Sequence, residues 1–301
     1  MPDDSRGSAD SADSADPHEP VAPPPRSRMA MVRRSIWQLV RAGLGRPARP
    51  SGNYEEGGPR FAGAWPAETS RKSQESDWLT VVSFNIDHGR AVNEASALFR
   101  DEAVLRGADL VLLQEMEEEG TARLADSLGM AFVYYPAGRH PVSGRHFGNA
   151  VLVRGAIVGD EKHQLPHLGR VRGTRRIAVA ATVEIRGRTL TAFSVHLATI
   201  LDASIRAQRE QLEAVVEVAN AVDSPVIIGG DLNRRSLGLV LEHRGFRWLT
   251  REVGPTLGPL AVDHLFVRGE DQTAPCNAGV VRDTKGASDH RPVWSTFKLH
   301  G

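Results

Sequence analysis

Cysteine is almost missing: Cys276 is the single one in 301 residues. One thiol excludes an internal disulfide and any cysteine-based zinc cluster, and without a partner motif it is weak support for a nucleophile. No charge of one sign dominates, since Lys+Arg and Asp+Glu each number 37. That balance argues against a chain whose main task is wrapping nucleic acid, and leaves only a local basic groove for such a purpose. No run approaches the ~18 apolar residues that a bilayer-spanning helix needs. The opening MPDDSRGSAD is acidic and polar, unlike a secretory leader. Together with the single cysteine, these absences give the expectation of a cytoplasmic chain, with a monomer as the default.

Hydrophobic residues make up 41% of the chain, which is enough for a core. They are unevenly spread. Residues 1–28 carry SADSADSAD and then VAPPPRSR, a composition too poor in apolar surface to offset its ordering entropy. Residues 46–76 are rich in Gly, Pro, Ser and charge and read as linker. Between them, 29–44 reads as a basic amphipathic helix: Val32, Ile36, Leu39 and Val40 fall at helical spacing, with Arg33, Arg34 and Arg41 on another face. The plain reading is a helix packed on its own domain. The sharper one is peripheral contact with an anionic membrane or a partner. Residues 1–76 are therefore expected to be disordered apart from this helix, and 77–301 to form one domain.

From Trp78 onward, short strand-like runs follow one another: LTVVSFNI, DLVLLQE, AFVYY, NAVLV, IAVAATVEI, TLTAFSVH, PVIIGG, VDHLFV and PVWSTF. Arg-Gly-Arg between IAVAATVEI and TLTAFSVH reads as a hairpin. Helical patterns fall at 95–106, 121–128 and 203–222, the first two stopped by glycine. Hairpins, strands and a few helices suggest a mixed-sheet α/β (α+β) sandwich flanked by helices.

Polar residues close or open these strands. They are Asn85 and Asp87 in FNID, Glu115 in LLQE, Asn149 before AVLV, and His196 in FSVH. Asp231 and Asn233 follow in GGDLN, then Asp263 in VDHLFV, and Asp289 and His290 in SDHRPV. Singly, each has a dull explanation as a turn former or a solvated end. Gathered at one rim, they would be a cluster of oxygen ligands with two imidazoles beside it. Thiolate-free, oxygen-rich sites suit Mg²⁺, Mn²⁺ or Ca²⁺, and the chemistry they support is attack of water on a phosphorus ester.

SFNIDHG, ADLVLLQE, GNAVLVR, FSVHL, GGDLN, VDHLFV and SDHRPV, in this order, resemble the endonuclease/exonuclease/phosphatase superfamily over roughly 78–298. That superfamily includes pancreatic-type deoxyribonuclease, apurinic endonucleases, neutral sphingomyelinases and inositol polyphosphate phosphatases. The resemblance implies a four-layer α/β/β/α sandwich with its active site at one rim. It implies Glu115 as principal Mg²⁺ ligand, with Asn85 and Asp289 close by and Mn²⁺ as the alternative ion. His290 would be the general base or fix the attacking water, and Asp263 would set its tautomer. Asp231 and Asn233 would position nucleophile and phosphate, the Asp being the base in some accounts. His196 would donate to the phosphate, Asp87 would be an acid near the metal, and Asn149 would support the site from behind. His264 stands where many members have Tyr and receives no role; Arg175 and Arg176 lie near a phosphate-binding position without a firm one. The expected partner is a phosphate ester, nucleic acid among the candidates. A lipid or inositol-phosphate substrate is the alternative reading, and a non-catalytic binding module the third. The loops show no long insertion with aromatic wedges of the kind that kinks a duplex.

Overall fold

The apolar runs VVSFN and LVLLQ become two parallel neighbours, β2 (Trp78–Asn85) and β3 (Leu110–Met116), paired from Val81↔Leu110 to Asn85↔Gln114. A strand buried on both faces needs apolar residues at every position, which these runs supply. In this computed structural model residues 52–64, 77–140, 143–171, 173–269 and 274–298 are described.

Around that pair a seven-stranded sheet assembles in the order β1-β4-β5-β3-β2-β13-β12. Its other strands are β1 (Phe61–Gly63), β4 (Ala131–Arg139), β5 (His146–Val153), β12 (Cys276–Val280) and β13 (Val293–Lys298). The second sheet has six strands, β10-β11-β9-β8-β7-β6. These are β6 (Ala156–Leu168), β7 (Arg175–Ile185), β8 (Arg188–His196), β9 (Val226–Asp231), β10 (Arg247–Trp248) and β11 (Asp263–Arg268). Both sheets are mixed, since β8 and β9 also run parallel. The hairpin read from Arg-Gly-Arg is present, turning from Ile185 to Arg188.

Val81, Leu112, Val151, Val179, Ala192, Ile227 and Leu265 fill the space between the sheets. The outer face of the first sheet buries Phe84 and Leu113 against α1 (Val92–Asp101) and α3 (Glu118–Leu128), while the short α2 (Ala103–Arg106) adds Leu105. The outer face of the second buries Phe193 and Val195 against α4 (Ile205–Asn220) and α5 (Gly238–His243). The result is the four-layer α/β/β/α sandwich. Each fully buried Phe or Leu contributes about 1.5–3 kcal/mol through area removed from water. Gly229 permits the sheets' closeness, since a Cβ there would meet Leu112 of the facing sheet at 2.6 Å; at Gly230 a Cβ would instead meet the carbonyl of Val195, its partner on the neighbouring strand β8, at 1.8 Å.

Part of the stretch read as linker is ordered. Phe61–Gly63 pairs with β4 at the sheet edge, and Asn53 bridges to Gly138. Asn53 accepts from the Arg175 amide at 2.9 Å and donates to Gly173 O at 2.8 Å. Arg60 clamps Asp160 with two bonds of 2.6 Å. The segment thus staples the edges of both sheets together, so the domain's ordered part starts before residue 77. The expected helix at 29–44 lies outside the described residues.

Candidate active site

Strand register places the polar residues. In the second sheet His196 pairs with Asp231, and Asp231 with Asp263, so three functional side chains stand in a row across β8, β9 and β11. In the first sheet Asn85 ends β2 beside Gln114, with Glu115 next along β3. The loop 288–290 enters from the start of β13. Ser288 pins it: its Oγ donates to Asn85 O at 2.7 Å and accepts from the His290 amide at 3.1 Å.

Two groups of ligating atoms result. Asp231, Asp263 and His290 form one, Asp87, His88 and Glu115 the other. His290 donates from Nδ1 to Asp263 Oδ2 at 2.9 Å, leaving Nε2 3.8 Å from Asp231 Oδ2. The same Asp231 oxygen accepts from Asn85 Nδ2 at 3.2 Å and lies 3.6 Å from His196 Nε2. His196 Nε2 is 3.8 Å from Glu115 Oε1, which joins the groups into one site.

Backbone strain aims several of these side chains. Among the described non-glycine residues with positive φ, four belong here: Asp87 (39°), His88 (62°), Glu115 (58°) and Asn233 (57°). The β3–β5 register slips between Leu113 and Met116, so Glu115 sits on a bulge. Such conformations cost about 1–3 kcal/mol each and persist where surrounding structure enforces them.

Burial sets the electrostatics. Desolvation, then the Asp263 charge, pushes Asp231 up to about 7. Burial raises Glu115 and Asp87, and the nearby Asp289 carboxylate adds to both shifts. His196 is held well below its usual range by burial and by the charge of Arg176, whose guanidinium lies 3.0 Å from both ring nitrogens. Burial pushes His88 down to about 4. Burial also opposes charge on His290, but the Asp263 carboxylate and its hydrogen bond outweigh it, so His290 is raised. Acids held above their range around one point are the environment that a cation relieves. His88 Nδ1 is buried without a hydrogen-bond partner, 3.0 Å from Glu115 Oε2. Carboxylates and an imidazole, with no thiolate, fit a hard to borderline divalent ion.

The structure brings together Asn85, Asp87, Glu115, His196, Asp231, Asp263 and His290. Asn233 stands at the edge, its amide donating to Asp231 Oδ1 at 2.8 Å and its side chain to Leu197 O at 3.0 Å. Asn149 lies behind: it donates to Ile177 O and Ser194 O, at 3.0 and 3.1 Å, tying the sheets beside Arg176 and His196. Asp289 is exposed and outside both groups, acting on them through its charge. Arg176 faces the site, whereas Arg175 Nη1 turns to Leu165 O at 3.5 Å. His264 points the other way along β11 and packs edge-on against Trp248 at 4.8 Å.

Sequence reasoning passed over several contributors. His88 is one, although it lies within SFNIDHG; its ring packs in tilted contact with His140 at 4.3 Å and Phe147 at 5.3 Å. Gln114 is another, donating to Ser194 Oγ at 3.0 Å beneath the site. Gln208 and Gln211 of α4 clamp both backbone groups of Ala198, at 2.7 and 2.9 Å, and so fix the loop that leaves His196.

A sequence model described as Endonuclease/Exonuclease/phosphatase family matches residues 82–290. No curated protein sequence matches the chain. Among solved structures, an endonuclease/exonuclease/phosphatase protein from Beutenbergia cavernae is 21% identical, covering 74% of this chain and 72% of its own, at a TM-score of 0.59. A humanized D. rerio TDP2 is 18% identical, covering 74% of this chain and 100% of its own, at 0.58. The mannosyl-6-phosphatase of Bacteroides thetaiotaomicron is also 18% identical, covering 73% and 100%, at 0.56. At these identities the likeness is one of fold.

Proposed function

The chain belongs to the endonuclease/exonuclease/phosphatase family, and from that premise we propose that it is a divalent-metal-dependent hydrolase of phosphate esters, of the phosphodiesterase or nuclease type. The observation that carries the reading is the convergence on Asp231 Oδ2 of Asn85 Nδ2 (3.2 Å), His196 Nε2 (3.6 Å) and His290 Nε2 (3.8 Å) at a buried rim.

Each residue has work there. The carboxylate of Asp231, destabilised by burial, is the acceptor for a proton from the attacking water. The resemblance leaves His290 as the base or as the group that fixes the water; its bond to Asp263 favours the charged ring, which suits it to donate from Nε2 to a phosphoryl oxygen. Asn85, His196 and Asn233 orient water and phosphate. Arg176 places positive charge behind His196. Glu115, Asp87 and their neighbours would hold the divalent ion, which offsets charge developing on the phosphoryl oxygens. The ion expected from sequence is Mg²⁺, with Mn²⁺ as the alternative.

The test is a panel of plasmid DNA, single-stranded RNA, an aryl phosphodiester, sphingomyelin and an inositol polyphosphate, run with wild type, Asp231→Asn and His290→Ala. Turnover of one substrate that EDTA stops, and that either variant lowers by about 10² or more, supports the reading. Turnover indifferent to EDTA and to both variants would sink it.

A lipid phosphodiester is the second reading, and one surface feature favours it. Of the nine exposed large apolar side chains among the described residues, five cluster on two adjoining loops and the element ends that flank them: Val171, Ile200 and Leu201 on the loops, Leu168 at the end of β6 and Ile205 at the start of α4. The loops are joined by Arg170 N to Asp202 O at 2.9 Å. One of them leaves His196 directly, so the apolar ridge borders the rim. No helix among the described residues is long and apolar enough to cross a membrane. Flotation with anionic vesicles, comparing wild type, Ile200→Ser/Leu201→Ser and a chain lacking 1–51, separates the ridge from 29–44 as a contact. A nucleic-acid partner, a monomer and a cytoplasmic location complete the working proposal.

A further inference from the structure

His88 belongs to no role in the reaction outlined above, yet its placement is specific. It follows Asp87 at the end of β2, and the Asp87 amide donates to Asn85 Oδ1 at 3.1 Å, turning the chain back. Gly89 N closes the turn on Ile86 O at 3.0 Å. The imidazole is then gripped from one side by His140 and Phe147, with ring centroids 4.3 and 5.3 Å away. Arg145 donates to its carbonyl at 3.3 Å. These contacts leave Nδ1 facing Glu115.

The Nδ1 contact has an unusual character. It lies 3.0 Å from Glu115 Oε2, well inside hydrogen-bond distance, yet the atom is buried and makes no hydrogen bond to that oxygen or to any other described atom. A buried polar nitrogen without a partner costs free energy unless something satisfies it. Two acceptors set side by side without a proton aligned between them are the arrangement expected of two ligands that share an ion. Asp87 offers a third ligating atom, and all three lie within 4.8 Å of one another.

We propose that His88 is a nitrogen ligand of the divalent metal, and that the site therefore prefers a first-row transition dication such as Mn²⁺ to Mg²⁺. This inference rests on the metal-dependent reading of the same site. Mg²⁺ favours oxygen donors and keeps its waters, so exchanging one for imidazole gains little. First-row transition dications accept imidazole beside carboxylates more readily. A ring already held by His140 and Phe147 loses little entropy on ligation, which adds to the preference.

The experiment uses the full chain, with Mn²⁺ and Mg²⁺ themselves as probes and no substrate. Mn²⁺ affinity is followed by loss of the free-ion EPR signal, Mg²⁺ affinity by competition, and ligand identity by ¹⁴N echo modulation of bound Mn²⁺. The variant is His88→Asn, because Asn tolerates the left-handed backbone at this position; His88→Gly, free of strain there, is the second variant should the first fail to fold. The expected result is imidazole ¹⁴N modulation in wild type and Mn²⁺ binding at least ~10-fold tighter than Mg²⁺. In the variant the modulation disappears and the preference collapses. Absence of modulation in wild type overturns the inference. So does modulation that survives in the variants, which would assign it to His196 or His290. If Mn²⁺ binds without a nitrogen signal, only this inference falls; if neither ion binds, the metal-dependent hydrolase reading falls with it.

Discussion

Asn85 Nδ2 donates to Asp231 Oδ2 across 3.2 Å, and this bond joins the two sheets at the point where their functional ends meet. The amide's other end accepts from the Asp87 backbone at 3.1 Å, so Asn85 couples the metal-ligand turn to the proposed base. Replacing it tests that coupling. Asn85→Asp sets a second carboxylate against Asp231, raising it further and lowering activity by about 10² or more. Asn85→Ala loses less, since it removes the donor without adding repulsion. Steady-state rates and melting curves for both variants check the order; equal rates in the two would refute it.

Asp263 holds His290 by a single 2.9 Å bond and is itself fully buried. Asp263→Asn keeps the shape but removes the charge that raises the ring. The expected outcome is a fall in kcat of about 10²–10⁴ with a smaller change in KM, and an imidazole that titrates at lower pH. NMR titration of His290 reads the second effect directly. A ring whose titration is unmoved would mean that Asp263 does not control it.

Much of this site was readable before the fold, and the reason is register. His196, Asp231 and Asp263 each end or begin an apolar run, and adjacent strands put such positions side by side. What stayed hidden depended on backbone geometry. His88 drew no role from the sequence because its aim comes from positive φ at Asp87 and His88. Asp289 and His290 are neighbours in sequence, but the turn pinned by Ser288 sends one into solvent and buries the other. Gln114 is a lone amide inside an apolar run, and only its partner Ser194 on the facing sheet explains it. β1 escaped because three residues carry no periodicity, and β6 because an edge strand of mixed exposure lacks clean alternation.

The crowded acids predict a substrate-free signature of metal binding. Asp87, Glu115 and Asp289 repel one another when ionised, and a dication reverses the sign of that interaction. Adding Mn²⁺ or Mg²⁺ at a hundredfold above its Kd raises stability by about 2.7 kcal/mol, or several degrees in Tm. Glu115→Gln does the opposite twice over: the metal-free protein melts higher than wild type, and added metal no longer shifts it. Calorimetry with and without EDTA measures both. A variant that melts lower without metal would show that Glu115 stabilises the fold through contacts other than these.

His264 gives the sharpest pH prediction. Its ring is buried, neither nitrogen makes a well-aligned hydrogen bond among the described residues, and burial pushes its pKa down to about 4 against the opposing pull of the Asp263 charge and the Ala261 backbone. The folded state refuses a proton that the unfolded chain takes up below about 6.5. Stability is therefore lost as pH falls from about 6.5 towards 4, by roughly 3 kcal/mol in all. Asp231, raised to about 7, works in the opposite direction over nearly the same window, because its folded form holds a proton that the unfolded chain releases. The difference between wild type and His264→Phe cancels the Asp231 contribution and isolates the ring. Phe keeps the edge-on packing against Trp248 and has no nitrogen to desolvate, so the variant should be more stable by about 1 kcal/mol at pH 7. Its advantage should widen steadily down to pH 4. Urea melts at pH 4.5, 5.5, 6.5 and 7.5 read the difference. A constant gap across that range would mean that the His264 ring is not held neutral by burial, and a negative one that its nitrogens are satisfied in the folded protein.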